Sequence, residues 1–287
     1  ERAKRRAELT DAEEAAHEAT QAYNDALAKQ NALYAEAQKK ADAYYEETGV
    51  LRDAEYFLGD EINAVNDEVT DANIAWIEAA THVTNLKEAI EEDNNALSAA
   101  DEEIQAVTDA YEKAVELIVE QVHRKKGKLV TSGMGKAGQI AMNIATTFCS
   151  TGIPSVFLHP SEAQHGDLGI LQENDLLLLI SNSGKTREIV ELTQLAHNLN
   201  PELKFIVITG NPDSPLAHES DVCLSTGKPQ EVCVLGMTPT TSTTAMTVIG
   251  DILVVQTMKQ TGFTIEDYSK RHHGGYLGEK SRSLCVK

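Results

Sequence analysis

Apolar residues recur every three or four positions along a long stretch that begins at Ile62 and runs through Val65, Val69, Ala72, Trp76, Ala79, Val83, Leu86 and Ile90. One polar residue, Asp93, interrupts the series, which resumes through Leu97, Ala100, Ile104, Val107, Tyr111, Ala114 and Ile118. A period near 3.5 predicts a coiled-coil seam on one helix from about Glu61 to His123. Such a helix would be about 95 Å long at the α-helical rise per residue. Upstream, Ala12, Ala16, Ala19, Tyr23, Ala26, Leu33 and Ala37 form a thinner seam with Gln30 inside it, and Gly49 and Gly59 punctuate the segment between. The pattern predicts two antiparallel helices that turn near residues 48–60 and bury their seams on each other. Alanine on one side permits close approach of Trp76, Leu86 and Ile90 on the other.

From Lys128 the period changes. Short apolar runs at 128–132, 154–158, 175–181, 203–209 and 222–225 read as strands, and the stretches 136–150, 186–198, 215–220 and 240–260 read as helices. Strands alternating with helices predict an α/β domain with a five-stranded parallel sheet flanked by helices. The run Leu176–Ile180 lacks alternation, as a strand buried on both faces does. Ligands of such sheets bind beyond the carboxyl ends of the strands, at the switch point of strand order.

Composition divides the chain at the same place. Residues 1–106 hold 26 Asp+Glu against 9 Lys+Arg, a net of −17, with no Pro and no Cys. Residues 107–287 hold 19 against 16, a net of −3. The expected domains are therefore an acidic helical hairpin, 1–106, and an α/β domain, 107–287. The acidic balance argues against nucleic acid or an anionic membrane as partner, since both need clustered Lys and Arg. Cys149, Cys223, Cys233 and Cys285 show no C-x-x-C spacing and read as reduced thiols of a cytoplasmic protein. The first residues are basic but lack an apolar core, so no signal peptide is read there.

The strand ending at Ile180 runs into Ser181-Asn182-Ser183-Gly184-Lys185-Thr186 ahead of a helix. Hydroxyls, a tight glycine turn and open helix N–H groups together make an anion seat, for which a sugar phosphate is the natural guest. A plain capped helix start explains the Ser and Thr equally well. Gly133-Met134-Gly135-Lys136-Ala137-Gly138 fits G-x-G-x-x-G, but the second strand ends His159-Pro160 without an acidic residue for a ribose, so a dinucleotide is not expected. What remains is a glycine-rich turn that presents Lys136. Loop residues 159–169 carry His159 and His165, too few ligands for a strong metal claim. Residues 238–244, TPTTSTT, open the long helix with hydroxyls, and Arg271-His272-His273-Gly274-Gly275 follows a short helix near the end.

These residues resemble the sugar isomerase (SIS) domain with its flavodoxin-like sheet, and more narrowly the D-arabinose 5-phosphate isomerases of the KpsF/GutQ type. The resemblance covers about residues 107–287 and rests on GMGKAG, TTFCSTGIPSVFLHPSEAQHGDLG, SNSGKTREI, ITGNPDS, EVCVLGMTPTTSTTA and HHGGYLG, in the family's order. It implies reversible interconversion of D-arabinose 5-phosphate and D-ribulose 5-phosphate, the first step towards Kdo for lipopolysaccharide or capsule, without an organic cofactor. The family's catalytically important Lys, two Glu and His fall on Lys136, Glu188, Glu231 and His272. His165 takes the place of the HGDLG histidine, and His159 that of the HP histidine, where the family binds an inhibitory zinc. The implied substrate contacts are Ser132, Ser181, Asn182, Ser183, Gly184, Thr186, Thr240, Thr241 and Ser242.

Two departures stand out. The usual Pro after the catalytic His is His273 here, and these 287 residues carry none of the paired CBS domains that commonly follow, so regulation through them is not expected. The resemblance further implies a homotetramer, and a downstream Kdo or Kdo-nucleotide as an inhibitor. Aldose–ketose isomerisation needs a base near C2 and groups that hold the enediolate. His165 or Glu231 is the expected base, His272 helps ring opening, Lys136 steadies the oxyanion and Glu188 holds Lys136. The competing readings are a sugar-phosphate-binding module without turnover and an oligomeric scaffold for the arm. The hairpin matches nothing in the family; it reads as a spacer, an oligomerisation arm, a fusion or a docking arm for a partner protein.

Overall fold

The computed structural model describes residues 2–285, which separate into two compact units that divide between residues 102 and 103. The first is built from helix α1 (Arg2–Thr48) and the part of helix α2 (Glu55–Ile118) that precedes residue 103. The two run antiparallel, because partners early in α1 lie late in α2. Arg5 Nη1 donates to Asp93 Oδ1 at 3.0 Å, Lys87 pairs with Glu13 at 2.8 Å, and Lys29 pairs with Glu68 at 2.6 Å. Tyr23 stacks on Trp76 at 6.0 Å. The polar residues inside the seams are matched: Gln30 Nε2 donates to Asn66 Oδ1 at 2.8 Å, and Asp93 holds Arg5. The turn falls at residues 49–54 as expected, and α2 kinks at Leu58, next to Gly59. Beside this turn Ala37, Leu58 and Ile62 form a small buried cluster.

The second unit carries five parallel strands: β1 (Leu129–Gly133), β2 (Ser155–Phe157), β3 (Leu176–Ile180), β4 (Lys204–Thr209) and β5 (Val222–Ser225), in the order β2-β1-β3-β4-β5. Leu129 is in register with both Ser155 and Leu176. Alternate residues face opposite layers. Leu129, Leu178, Ile206 and Ile208 pack against helices α3 (Gly135–Ser150) and α7 (Thr241–Thr261) and the end of α2; Val130, Leu177, Leu179 and Val207 pack towards α4 (Pro160–Ala163), α5 (Arg187–Leu199) and α6 (Pro215–Glu219). All five residues of Leu176–Ile180 are buried, which accounts for their unbroken apolar run.

Asp175, buried at the start of β3, accepts from Lys128 N at 2.9 Å and Gln172 N at 2.8 Å and pairs with Lys128 Nζ at 2.6 Å. One carboxylate thus ties together the amino ends of β1 and β3. Four elements were not read from the sequence: a π-helical turn over Val119–Arg124 at the end of α2, the four-residue α4, a 3-10 turn over Asp167–Ile170, and a last helix α9 (Gly275–Cys285) after α8 (Ile265–Arg271).

Candidate active site

Strand order reverses direction at β1, whose neighbours are β2 on one side and β3 on the other. Loops leaving β1 and β3 therefore diverge to opposite faces and open a crevice between them. A cavity of about 310 Å³ lies there, lined by Met134, Lys136 and Ala137 after β1, by Ile180 to Ser183 and Thr186 after β3, and by Pro239, Ser242, Thr243 and Met246. These walls are the amino-terminal ends of α3, α5 and α7. No side chain of the cap residue closes α3 or α5, so their first-turn N–H groups stay open to a ligand. Helix N-termini carry partial positive charge, and the two open ends of α3 and α5 favour an anion in this crevice.

The β3–α5 loop is held by its own small side chains. Ser181 Oγ lies 2.8 Å from Thr186 Oγ1 and accepts from Gly184 N at 3.2 Å, while Ser183 Oγ accepts from Lys185 N at 3.2 Å. Gly184 has φ +62°, and a Cβ there would lie 1.9 Å from Ser214 Oγ, so both conformation and space demand glycine. In the GMGKAG turn, a Cβ on Gly138 would lie 2.6 Å from the Gly133 carbonyl oxygen. The glycines of that motif bring α3 close to β1, and Lys136 projects from the first turn of α3, exposed at the crevice.

Six of the expected site residues, Lys136, Ser181, Asn182, Ser183, Thr186 and Ser242, line this one cavity. Gly184 shapes it without lining it. Ser132 is fully buried within β1 and its Oγ donates to the Leu158 carbonyl at 2.7 Å, a strand-to-strand tie. Thr240 and Thr241 stand at the start of α7, outside the cavity wall. Thr243 and Met246 were missed in the sequence, although Thr243 belongs to the hydroxyl-rich opening of α7. The long helix begins at Thr241, and that phase turns positions 242, 243 and 246 to the crevice.

The remaining expected groups lie elsewhere in the chain. Glu188 is half-buried in the first turn of α5 and makes no ion pair with Lys136 among the described residues. His165 is exposed after α4, on a segment tied to α5 through Gln164 Nε2, which donates to Glu191 Oε2 at 2.9 Å. Arg187 and Gln164 together hold the Glu191 carboxyl below the usual carboxylate range. His272 caps α8; its ring stacks on Tyr268 at 3.7 Å, and Nδ1 lies 3.0 Å from the Tyr268 carbonyl. A carbonyl only accepts, so the contact selects Nδ1–H and leaves Nε2 of the neutral ring unprotonated. The next residue, His273, is pinned by its carbonyl, which accepts from Arg282 Nη1 at 3.1 Å. His159 is exposed with its ring edge-on to Phe157, and no group of three or more His, Cys, Asp or Glu is placed to hold a metal among the described residues.

Glu231, in the β5–α7 loop, turns its carboxylate onto the start of α7. Oε2 accepts from Thr240 N at 2.6 Å, Thr240 Oγ1 at 2.8 Å and Ser242 N at 3.4 Å. The nearby Ser242 hydroxyl, then the Thr240 N–H and hydroxyl, hold this carboxyl at a pKa of about 2. The Ser242 hydroxyl itself forms no hydrogen bond of good geometry and is buried. In the same loop Cys233 Sγ accepts from Thr238 N at 3.2 Å and Met237 N at 3.3 Å, which with the Thr238 hydroxyl lower its thiol to about 7. Sequence reading missed Cys233, whose signal lies in backbone geometry.

Residues 122–256 match the SIS domain family. A crystal structure from Bacteroides fragilis, assigned to a phosphosugar isomerase involved in capsule formation, is 85% identical over 64% of this chain and 99% of that one, with a TM-score of 0.58. The chain belongs to the SIS family. Other SIS relatives are the arabinose 5-phosphate isomerases KdsD of Pseudomonas aeruginosa, 43% identical over 63% of this chain and 54% of that protein, and of Escherichia coli K12, 48% identical over 57% and 49%. The chain spans about half the length of these curated relatives.

Proposed function

We propose that this chain is an aldose–ketose isomerase that interconverts D-arabinose 5-phosphate and D-ribulose 5-phosphate. The observation that carries the reading is the convergence of two open helix N-termini, those of α3 and α5, and five hydroxyl residues, Ser181, Ser183, Thr186, Ser242 and Thr243, on one crevice that also holds Lys136. The names of the KdsD relatives supply the pentose. The substrate phosphate sits on the Ser181–Thr186 loop at the open N-terminus of α5, which places the sugar chain towards Lys136. Lys136 stabilises the oxyanion that develops as a proton moves from C2 to C1. Lys136 is the only ionisable side chain among the described residues lining the crevice. The base therefore comes from a flanking loop, and we assign it to His165, with Nε2 of His272 assisting ring opening.

Residues 107–287 form the catalytic domain in this reading, and residues 1–106 a separate arm. The protein works in the cytoplasm at the head of a Kdo route. No helix among the described residues is long and apolar enough to cross a membrane. We assign a homotetramer in which His272 serves a neighbouring crevice. The exposed apolar side chains Val248 and Val255 on α7 support assembly through that helix. A downstream Kdo sugar or its nucleotide conjugate inhibits at the same crevice; absence of thermal stabilisation at saturating product would count against that.

The deciding assay is incubation with D-arabinose 5-phosphate and detection of D-ribulose 5-phosphate. Turnover that is lost in His272→Ala, and cut far more than stability in Lys136→Met, supports the isomerase. The crevice's single ionisable lining residue favours the second reading, a sugar-phosphate-binding module without turnover. Saturable binding of the pentose phosphate with no ketose formed would establish that one instead.

A further inference from the structure

Glu231 is one of the two carboxylates that the resemblance makes catalytically important, and the loop around it has a different construction from that of a base. All three of its hydrogen bonds converge on one oxygen, Oε2, and all come from the first turn of α7 or its cap. That turn carries Ser242 and Thr243, which line the crevice. Ser242 is 1% exposed; its hydroxyl lies beside the Glu231 carboxylate that it helps to keep ionised and forms no hydrogen bond of good geometry. A buried hydroxyl is costly when left unpaired, so the carboxylate beside it stabilises the turn that carries it. A carboxylate held by three donors is stabilised as the anion and gains little by taking a proton.

We propose that Glu231 is a positioning residue: its carboxylate clamps the start of α7 so that the α7 wall of the crevice, Ser242, Thr243 and Met246, is held against the substrate phosphate. It acts through the first turn of α7 and sets substrate affinity; it does not remove the C2 proton. The inference rests on the isomerase reading for its substrate, but the clamp itself concerns anion binding and is testable apart from turnover.

The test compares wild type, Glu231→Gln and Glu231→Ala in two measurements: steady-state kcat and KM for D-arabinose 5-phosphate, and equilibrium binding of inorganic phosphate by calorimetry. The glutamine oxygen accepts from the same N–H and O–H donors, so E231Q should keep KM and phosphate Kd within about threefold of wild type, while E231A raises both about tenfold or more. In both variants kcat should change less than KM, and the acid limb of the kcat profile should stay in place. A general base would show the opposite: kcat falls by about 10²–10⁴ in E231Q with KM unchanged and the acid limb lost, and that result overturns the proposal. If the wild type turns nothing over, the isomerase reading fails while phosphate binding still decides the clamp. Equal phosphate affinity in all three folded proteins would also overturn it.

Discussion

Leu86 in the hairpin and Leu178 in the sheet sit in equally regular apolar patterns, yet Leu86 is only partly buried and Leu178 is completely buried. The hairpin seam has one facing helix, much of it alanine, so each seam residue covers only a flank of its partner. The sheet has helices on both faces, so every strand residue is enclosed. Periodicity reports which side of an element is apolar; the number of neighbouring layers decides how much that side buries.

The widest gap between the regions should appear on truncation. Leu178→Ala should cost about 3–4 kcal/mol and Leu86→Ala about 1 kcal/mol, measured by urea titration of each variant. Equal losses would mean that the seam is buried far better than its exposure indicates. The ion pairs sharpen the contrast. Removing Asp175 leaves Lys128 and two backbone N–H groups without their acceptor and should cost about 3 kcal/mol, while Asp93→Ala in the seam should cost about 1 kcal/mol or less. Next in size, Gly184→Ala introduces strain at positive φ and a clash with Ser214, for about 2 kcal/mol by thermal melting. It should also weaken phosphate binding, whereas L86A should leave that binding alone.

The smallest effect is a titration. The Glu231 carboxyl has its pKa lowered to about 2 in the folded state. Its stabilising contribution is thus fully present above the ordinary carboxylate pKa of about 4.5 and is lost as pH falls from there through about 2. Carboxyl carbon NMR should place its midpoint near 2. A midpoint near 4.5 would remove the hydrogen bonds to Thr240 and Ser242 in solution.

Legibility in the sequence followed the range of the interactions. The five strands, the turn between the long helices and the Ser181–Thr186 loop after β3 were readable because each is written in consecutive residues. The placement of Ser132 was not: its hydroxyl points to Leu158 across the strand pair, and one step of strand parity decides that. The expected Lys136–Glu188 pair fails for a similar reason, since the helices that carry these residues start from different strands and only their packing sets the spacing. The clamp by Glu231 was hidden because it closes a loop back onto Thr240 and Ser242. Its carboxylate looks like any acid–base candidate until its donors are known.

The small cluster of Ala37, Leu58 and Ile62 beside the hairpin turn has a kinetic meaning. Of all the contacts between α1 and α2, those at the turn join residues nearest in sequence, so closing that loop loses the least chain entropy. Each later pair, from Lys29–Glu68 out to Arg5–Asp93, then extends a loop already closed. The hairpin can zip from its tip, whereas β1 gains its two neighbours, β2 and β3, only by closing two separate crossovers. Pulse-labelled amides next to the turn should gain protection before those of the central strands.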